Sequence, residues 1–172
     1  MFSILILSSI INFVITPFLI IYLPYINKTE FNSVVSLGIS MTSFGIGTTL
    51  SSLLYGTYGK HFSGYRIISL LGLGFISLSL FSEQYVLFIQ LFAIGCGIGF
   101  TAPVEITLIQ RRVPENLFGR IMTLFTSTRF LSVPLGYVCF GAVLESRIAQ
   151  QTPIMMAAMV LGGLLIYLLL RD

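Results

Sequence analysis

Six long apolar runs, separated by short gaps that hold nearly every charge, most strongly constrain what this chain can fold into. Of its 172 residues, 56% are apolar and 9% are charged, which leaves too little polar surface to cover a soluble globule. Backbone groups left unpaired in lipid cost several kcal/mol each, so segments that cross a bilayer are helical. The sequence therefore predicts an all-α, polytopic membrane protein whose solvent is the lipid bilayer.

Each run is close to the roughly 20 residues that a helix needs to cross the hydrocarbon core. The predicted spans are residues 3–25, 34–58, 66–81, 85–109, 119–144 and 153–170, in a single transmembrane domain over 1–172. None has a polar face as wide as that of a helix in a soluble bundle. No basic residue precedes the first run, so a span is favoured there over a secretory signal peptide.

The basic residues in the gaps predict an orientation, because they are divided unequally between the two sides of the membrane. One side carries Lys60, Arg66, Arg111, Arg112, Arg120 and Arg171, and the other carries only Lys28 and Arg147. The positive-inside rule then places both termini in the cytoplasm. The net charge of +3 follows from this topology. Since no basic cluster stands on a soluble domain, no nucleic-acid partner is expected.

Two ionisable residues, Glu105 and Arg129, fall inside predicted spans. Charges within the bilayer are costly and usually face protein or water, where they serve a purpose. One interpretation is a substrate-coupled or proton-coupled charge in a central cavity. The alternative is a structural ion pair, or a Glu105 side chain that extends toward Arg111 and Arg112 at the interface. The residues leave these interpretations open.

Small residues and prolines indicate how the predicted helices pack and bend. In the second span Gly38, Thr42, Gly45, Thr49 and Ser52 recur at steps of three and four, which predicts a close helix contact. The glycines of the run 95–99 predict similar packing in the fourth span. Pro17, Pro103 and Pro134 lie within spans and are expected to kink them. Kinked helices with polar residues near mid-membrane are typical of transporter cavities.

Nothing in the sequence indicates an enzyme. No nucleophile, base and orienting group fall together, and no phosphate-binding loop is present. Cys96 and Cys139 lie inside spans without the paired spacing of a zinc or redox site. We therefore expect no catalytic residue, no metal and no cofactor.

Two loops carry a family resemblance. The pattern Q-x-x-V-P-x-x-x-x-G-R, with Gln110, Pro114, Gly119 and Arg120, is followed by a span containing Pro134-Leu135-Gly136. It resembles the region between the tenth and eleventh helices of major facilitator superfamily exporters, particularly the macrolide-efflux type. The segment 56–66 is similar to the family's cytoplasmic glycine- and arginine-rich loop, without its Asp. Its matching residues are Gly56, Lys60, Gly64 and Arg66.

The resemblance implies helices seven to twelve, which form the C-terminal half of a twelve-helix carrier as two three-helix repeats, residues 3–81 and 85–170. It implies proton-coupled export of a hydrophobic or cationic small molecule, such as a macrolide, across a bacterial plasma membrane. The candidate cavity residues are Asn12, Gln90, Glu105 and Arg129.

Met1 stands two residues before the first span, so an N-terminal six-helix half, or a second copy in its place, is expected as a partner. Two alternatives stay open. One is a truncated or split carrier that is inactive alone. The other is a small structural or assembly membrane protein that binds a partner helix through its small-residue faces.

Overall fold

The computed structural model describes residues 2–58, 74–77, 83–145 and 152–169, and the regular structure within them is helical throughout. The all-α fold predicted from hydropathy is confirmed. We number the long helices in chain order: α1 (residues 2–31), α2 (Val34–Tyr58), α3 (Gln84–Arg112), α4 (Glu115–Glu145) and α5 (Thr152–Leu169).

Within the described residues, four helical segments are long and apolar enough to cross a membrane: Ile4–Phe31, Val34–Thr57, Gln84–Arg112 and Glu115–Glu145. A shorter apolar stretch, Thr152–Leu165, lies in α5. These match the first, second, fourth, fifth and sixth predicted spans. The third, residues 66–81, lies outside the described residues except for a helical turn at 74–77. The total of six spans and their division into two repeats therefore stay predictions.

The first helix changes its winding at Pro17. A regular α-helix covers Phe2–Pro17, a π-helical turn covers Phe18–Tyr22, and Leu23–Ile26 is followed by a second π-helical turn, Asn27–Phe31. Proline has no backbone N–H and its ring crowds the preceding turn, which favours such a change. The left-handed backbone of Asn32, with a φ of 46°, closes the segment. Pro103 and Pro134 lie inside α3 and α4, which continue through them.

The link between α3 and α4 is shorter than hydropathy predicts. Between α3 and α4 only Val113 and Pro114 are outside a helix, whereas the sequence analysis placed a loop over 110–118. Val113 is extended, with φ −109° and ψ 127°, because the residue before a proline is displaced from the helical region. The polar residues on either side simply continue the helices beyond the apolar stretch. Helix α4 itself begins at Glu115, four residues before the span predicted from Gly119.

Two sets of packed helices position the candidate site. In the first, α1 packs against both α4 and α5. A Cβ at Gly136 of α4 would lie 2.6 Å from the carbonyl oxygen of Phe13, and one at Gly163 of α5 would lie 3.1 Å from the Ile10 side chain. Both glycines therefore let a neighbouring helix approach α1 closely.

In the second set, α2 packs against α3 along what we call the glycine seam, formed by Gly47, Gly95 and Gly99. A Cβ at Gly47 would overlap the carbonyl oxygen of Phe92, one at Gly95 would overlap that of Phe44, and one at Gly99 would overlap that of Thr48. The Ser52 hydroxyl also donates to the Gly99 carbonyl oxygen, at 2.9 Å. The two backbones are thus in direct contact.

The stripe predicted as the contact face of α2 is not the face that packs against α3, and its close contact with another helix stays a prediction. Among the described residues, a Cβ at Gly38 or Gly45 would meet no neighbouring atom, and Thr42 and Thr49 are exposed. Ser52 of that stripe does reach α3, through its hydrogen bond to Gly99. The residues that do face α3 lie on another side of α2 and include the buried Ser51. Small residues occur on two faces of α2, and helix association in lipid is selected by the fit to the partner, which the sequence of α2 alone does not contain.

Candidate functional site

A buried ion pair joins α3 to α4. Only 5% of the Glu105 side chain is exposed, and its Oε2 lies 3.5 Å from an Nη atom of Arg129. It is the one ion pair within the residues that the structure describes. Glu105 does not extend toward Arg111 and Arg112, which are exposed at the end of α3. The structure therefore brings together the two ionisable residues that the sequence placed inside spans.

A third helix completes the arrangement. Ser8 of α1 is fully buried, and its hydroxyl donates to Oε2 of Glu105 at 3.1 Å. One turn further along α1, the side-chain amide of Asn12 donates to the Ser8 carbonyl oxygen at 2.9 Å. The same carboxylate oxygen thus faces a hydroxyl from α1 and a guanidinium from α4. We call Ser8, Glu105, Phe125 and Arg129 the polar junction.

The guanidinium of Arg129 also lies over an aromatic ring. Its Cζ atom is 5.4 Å from the centroid of Phe125, which precedes it by one turn on α4 and is only 2% exposed. A cation at this distance from a ring face is attracted by the ring quadrupole. The Arg129 side chain is nevertheless 30% exposed. It therefore extends from a buried contact to the open surface of the described helices.

The sequence of α3 explains why its carboxylate points into this junction. Gly97, Thr101 and Glu105 follow one another at four-residue steps, so they lie on one face of the helix, and all three are buried. The Thr101 hydroxyl donates to the Gly97 carbonyl oxygen at 2.8 Å, so its polarity is satisfied within α3. Ala93, one step earlier in the same four-residue series, is exposed. Glu105, in contrast, has polar contacts with two other helices.

Gln90 lies apart from the polar junction. It precedes Glu105 by fifteen residues on the same helix, or about 22 Å at the helical rise. Its side-chain nitrogen donates to the carbonyl oxygen of Ser77 at 2.8 Å, and its buried Oε1 has no hydrogen-bond partner among the described residues. Gln90 therefore connects α3 to the turn at 74–77. The structure does not bring this candidate together with the other three.

The residues of the two loop motifs lie at helix ends. Gly56 is exposed near the end of α2, Gln110 is exposed near the end of α3, and Pro114 lies in the two-residue link. Gly119 and Arg120 are exposed on the first turns of α4. Lys60, Gly64 and Arg66 lie outside the described residues. The Gly119 carbonyl oxygen accepts a hydrogen bond from the Thr123 hydroxyl at 2.9 Å, one turn along the same helix.

Sequence reasoning missed two members of the junction, Ser8 and Phe125. A single serine in an apolar span carries no ionic signal, but its spacing of four residues from Asn12 places both on one side of α1. Phe125 is one turn before Arg129, and that spacing indicates a side-chain contact on the same helix. Within the described part of the chain, no three His, Cys, Asp or Glu side chains are grouped so as to hold a metal ion.

The fold and this junction define a polytopic helical membrane protein that keeps an ion pair where three of its helices meet. The chain belongs to the Major Facilitator Superfamily, whose family model matches residues 1–172. The family resemblance of the two loop motifs is thereby confirmed. No solved structure matches the chain.

The similar curated proteins are exporters by name. Macrolide efflux protein A of Streptococcus pyogenes is 25% identical over 155 residues, which cover 86% of this chain and 38% of that protein. Macrolide efflux protein A of Enterococcus faecalis is 25% identical over 143 residues, which cover 79% of this chain and 44% of that protein. The chain therefore spans about two fifths of the length of the curated relatives it matches.

Proposed function

We propose that this chain forms the C-terminal six-helix half of a secondary active carrier that exports a hydrophobic or cationic small molecule, of the macrolide type, in exchange for protons. The membrane is the plasma membrane of a bacterium, with both termini in the cytoplasm, as the distribution of basic residues favours. Membership of the superfamily and the names of the relatives support export in general. The observation that carries the proposal is the buried Glu105–Arg129 pair.

A buried ion pair contributes little net stability to a fold. Removing two charges from water costs several kcal/mol per ion, and their attraction often does no more than offset this cost. A pair of this kind inside a membrane helix bundle therefore favours a functional role over a purely structural one. The pair also joins α3, α4 and, through Ser8, α1, so a change in its charge alters contacts among three helices.

The proposed coupling uses the carboxyl group of Glu105. A proton bound to this group cancels the negative charge that attracts Arg129, and loss of the proton restores it. Arg129 is 30% exposed, so its guanidinium has an open side toward which it turns when the attraction is lost. The two protonation states thereby favour two arrangements of α3 and α4. A carrier needs such a pair of states, each open to one side of the membrane.

The partner in this proposal is a second six-helix unit. Carriers of this type alternate access by rocking one half against the other around a site between them, and the chain spans only 38% and 44% of the two relatives' lengths. Two described helices have exposed polar residues on faces that no described helix covers, Thr42 and Thr49 on α2 and Thr123 and Thr128 on α4. We propose that these faces border the substrate pathway opposite the partner unit.

The test is accumulation of a radiolabelled macrolide in bacteria that express the chain, alone and together with the first six helices of a macrolide efflux relative. We expect co-expression to lower accumulation in a manner that an uncoupler abolishes. Glu105→Gln and Arg129→Gln should each remove this effect at equal membrane levels. Glu83→Gln, which changes an exposed glutamate just before α3, is the matched control and should retain it.

Unchanged accumulation in every combination would contradict the carrier proposal and favour a structural or assembly protein. Export by the chain alone would contradict the need for a separate half and favour a second copy as the partner unit. Export that persists in both Glu105→Gln and Arg129→Gln would show that the carrier exists but that the polar junction does not couple it.

A further inference from the structure

Glu105 and Phe125 form two sides of one small site. The Glu105 carboxylate and the Phe125 ring approach the same guanidinium, at 3.5 Å from an Nη atom and 5.4 Å from Cζ respectively. Both side chains are buried, with 5% and 2% of their surfaces exposed. Attraction of a cation to a carboxylate and to a ring face is stronger where water is excluded. The geometry is that of a site for an organic cation.

The present occupant of this site, Arg129, is held loosely. Tight arginine–carboxylate pairs are bidentate, with N–O distances of about 2.7–2.9 Å, whereas this contact is a single one at 3.5 Å. Phe125 and Arg129 are on the same helix, so the ring stays in place when the arginine side chain turns away. Ser8 also remains, because it donates to Glu105 independently of Arg129. The site is therefore complete without its occupant.

We propose that Glu105 and Phe125 bind an organic ammonium substrate, and that the Arg129 guanidinium occupies this site when no substrate is bound. The substrate binds by displacing the guanidinium. The exchange replaces one positive charge at the carboxylate by another, while Arg129 turns to its exposed side. No bond forms or breaks. This inference rests on the proposed export function only for the fate of the cation after it has bound.

The surroundings select the chemistry of the ligand. A small hydrated metal ion needs about six oxygen ligands, and this site offers one carboxylate and one hydroxyl. An ammonium group with alkyl substituents needs less hydration, and its substituents match a ring face and an apolar lining. One turn along α1 from Ser8 and one turn along α3 from Glu105 are two buried aliphatic side chains, Ile11 and Ile109, which are 4% and 2% exposed. A tertiary or quaternary ammonium is therefore the ligand class.

The test measures binding of radiolabelled tetrapropylammonium, which has no proton to transfer, to the full chain in lipid nanodiscs. Because Arg129 competes for the site, Arg129→Gln should bind the probe about tenfold more tightly than the unaltered chain. Arg129→Met, which is apolar and of similar length, should show the same gain. Adding Glu105→Gln to either variant should abolish the binding, whereas adding Glu83→Gln should not.

The aromatic side of the site is tested in the Arg129→Gln background. Phe125→Leu should weaken binding about fivefold, because the ring is lost, and Phe125→Tyr should retain it. Binding that is no tighter in Arg129→Gln and Arg129→Met than in the unaltered chain would overturn the proposal. So would binding that survives Glu105→Gln, since the probe would then be held elsewhere or by lipid alone.

Cation binding and export are measured separately, so each can be contradicted without the other. If the variants bind tetrapropylammonium as predicted but no cell exports a substrate, the cation site is supported and the carrier proposal is contradicted. If cells export a macrolide in the manner proposed but the variants bind tetrapropylammonium equally, the carrier proposal is supported. The proposal that Arg129 occupies a cation site is then contradicted.

Discussion

The glycine seam between α2 and α3 and the polar junction among α1, α3 and α4 join helices in opposite ways. At the seam, Gly47, Gly95 and Gly99 let two backbones touch, and the polar side chains beside them are the short ones of Ser51 and Ser52. At the junction, the helices are joined by polar side chains, because the Glu105 carboxylate contacts the Ser8 hydroxyl and the Arg129 guanidinium. Since α3 takes part in both, we infer that α2 and α3 move as one body and that change occurs at the junction.

The largest effect is expected from filling the seam. Gly99→Leu places a side chain where the Thr48 carbonyl oxygen and the Ser51 hydroxyl lie, so it should lower the free energy of unfolding by about 3 kcal/mol. Gly45→Leu is the matched control on α2, because a Cβ there meets open space. Unfolding of the purified chain in mixed micelles, titrated with SDS, measures both. Equal losses in the two variants would show that the seam is not a close contact.

A smaller effect is expected from separating the charges of the junction. Glu105→Gln, Arg129→Gln and the double variant form a cycle, and the pair should show a coupling free energy of about 1.5 kcal/mol. The value is moderate because 30% of the Arg129 side chain is exposed and its charge is partly screened. The same SDS titration gives the four unfolding free energies. Additive losses would mean that the two side chains do not interact in the bilayer-like medium.

Substituting one serine in each region compares the strength of the hydrogen bonds at the junction and at the seam. Ser8→Ala removes a hydrogen bond to a carboxylate and should cost about 1.5 kcal/mol, because bonds to charged groups are the stronger ones. Ser52→Ala removes a bond to the Gly99 carbonyl oxygen and should cost about 0.6 kcal/mol, a typical value between membrane helices. Unfolding measurements on both variants test the order. The reverse order would place the stronger polar contact at the seam.

The smallest effect is expected on the uncovered face of α2. Thr42 and Thr49 are exposed, and their hydroxyls donate to the carbonyl oxygens of Gly38 and Gly45 within the same helix. Thr42→Ala and Thr49→Ala should therefore change the unfolding free energy by less than about 0.5 kcal/mol. A loss above 1 kcal/mol in either would show that this face packs against part of the chain in the folded protein.

The seam and the junction were predictable from sequence to different extents. Hydropathy gives the helices, because lipid requires long apolar segments, and it identifies Glu105 and Arg129 as exceptional. It does not give the seam face of α2, where Gly45 and Gly47 look equally suitable and only the shape of α3 selects between them. Ser8 was missed for a related reason. Its hydroxyl matters only because another helix brings a carboxylate to it.

The residues at which helices end were also difficult to predict from the sequence. Gln110, Arg111 and Arg112 are polar and were assigned to a loop, yet they form the last turn of α3. A helix does not stop where lipid ends, since water satisfies its outer residues equally well. The true end is at Val113, where the following proline displaces the backbone from the helical region.

The most direct test of a functional polar junction is the charge exchange Glu105→Arg with Arg129→Glu, compared with each single change. The exchange keeps an ion pair between α3 and α4 but moves the carboxylate away from the Ser8 hydroxyl and from its place on α3. We predict that it restores much of the stability that the single changes lose, while macrolide export by the co-expressed halves stays abolished. Recovery of both stability and export would contradict this account and identify the pair as purely structural.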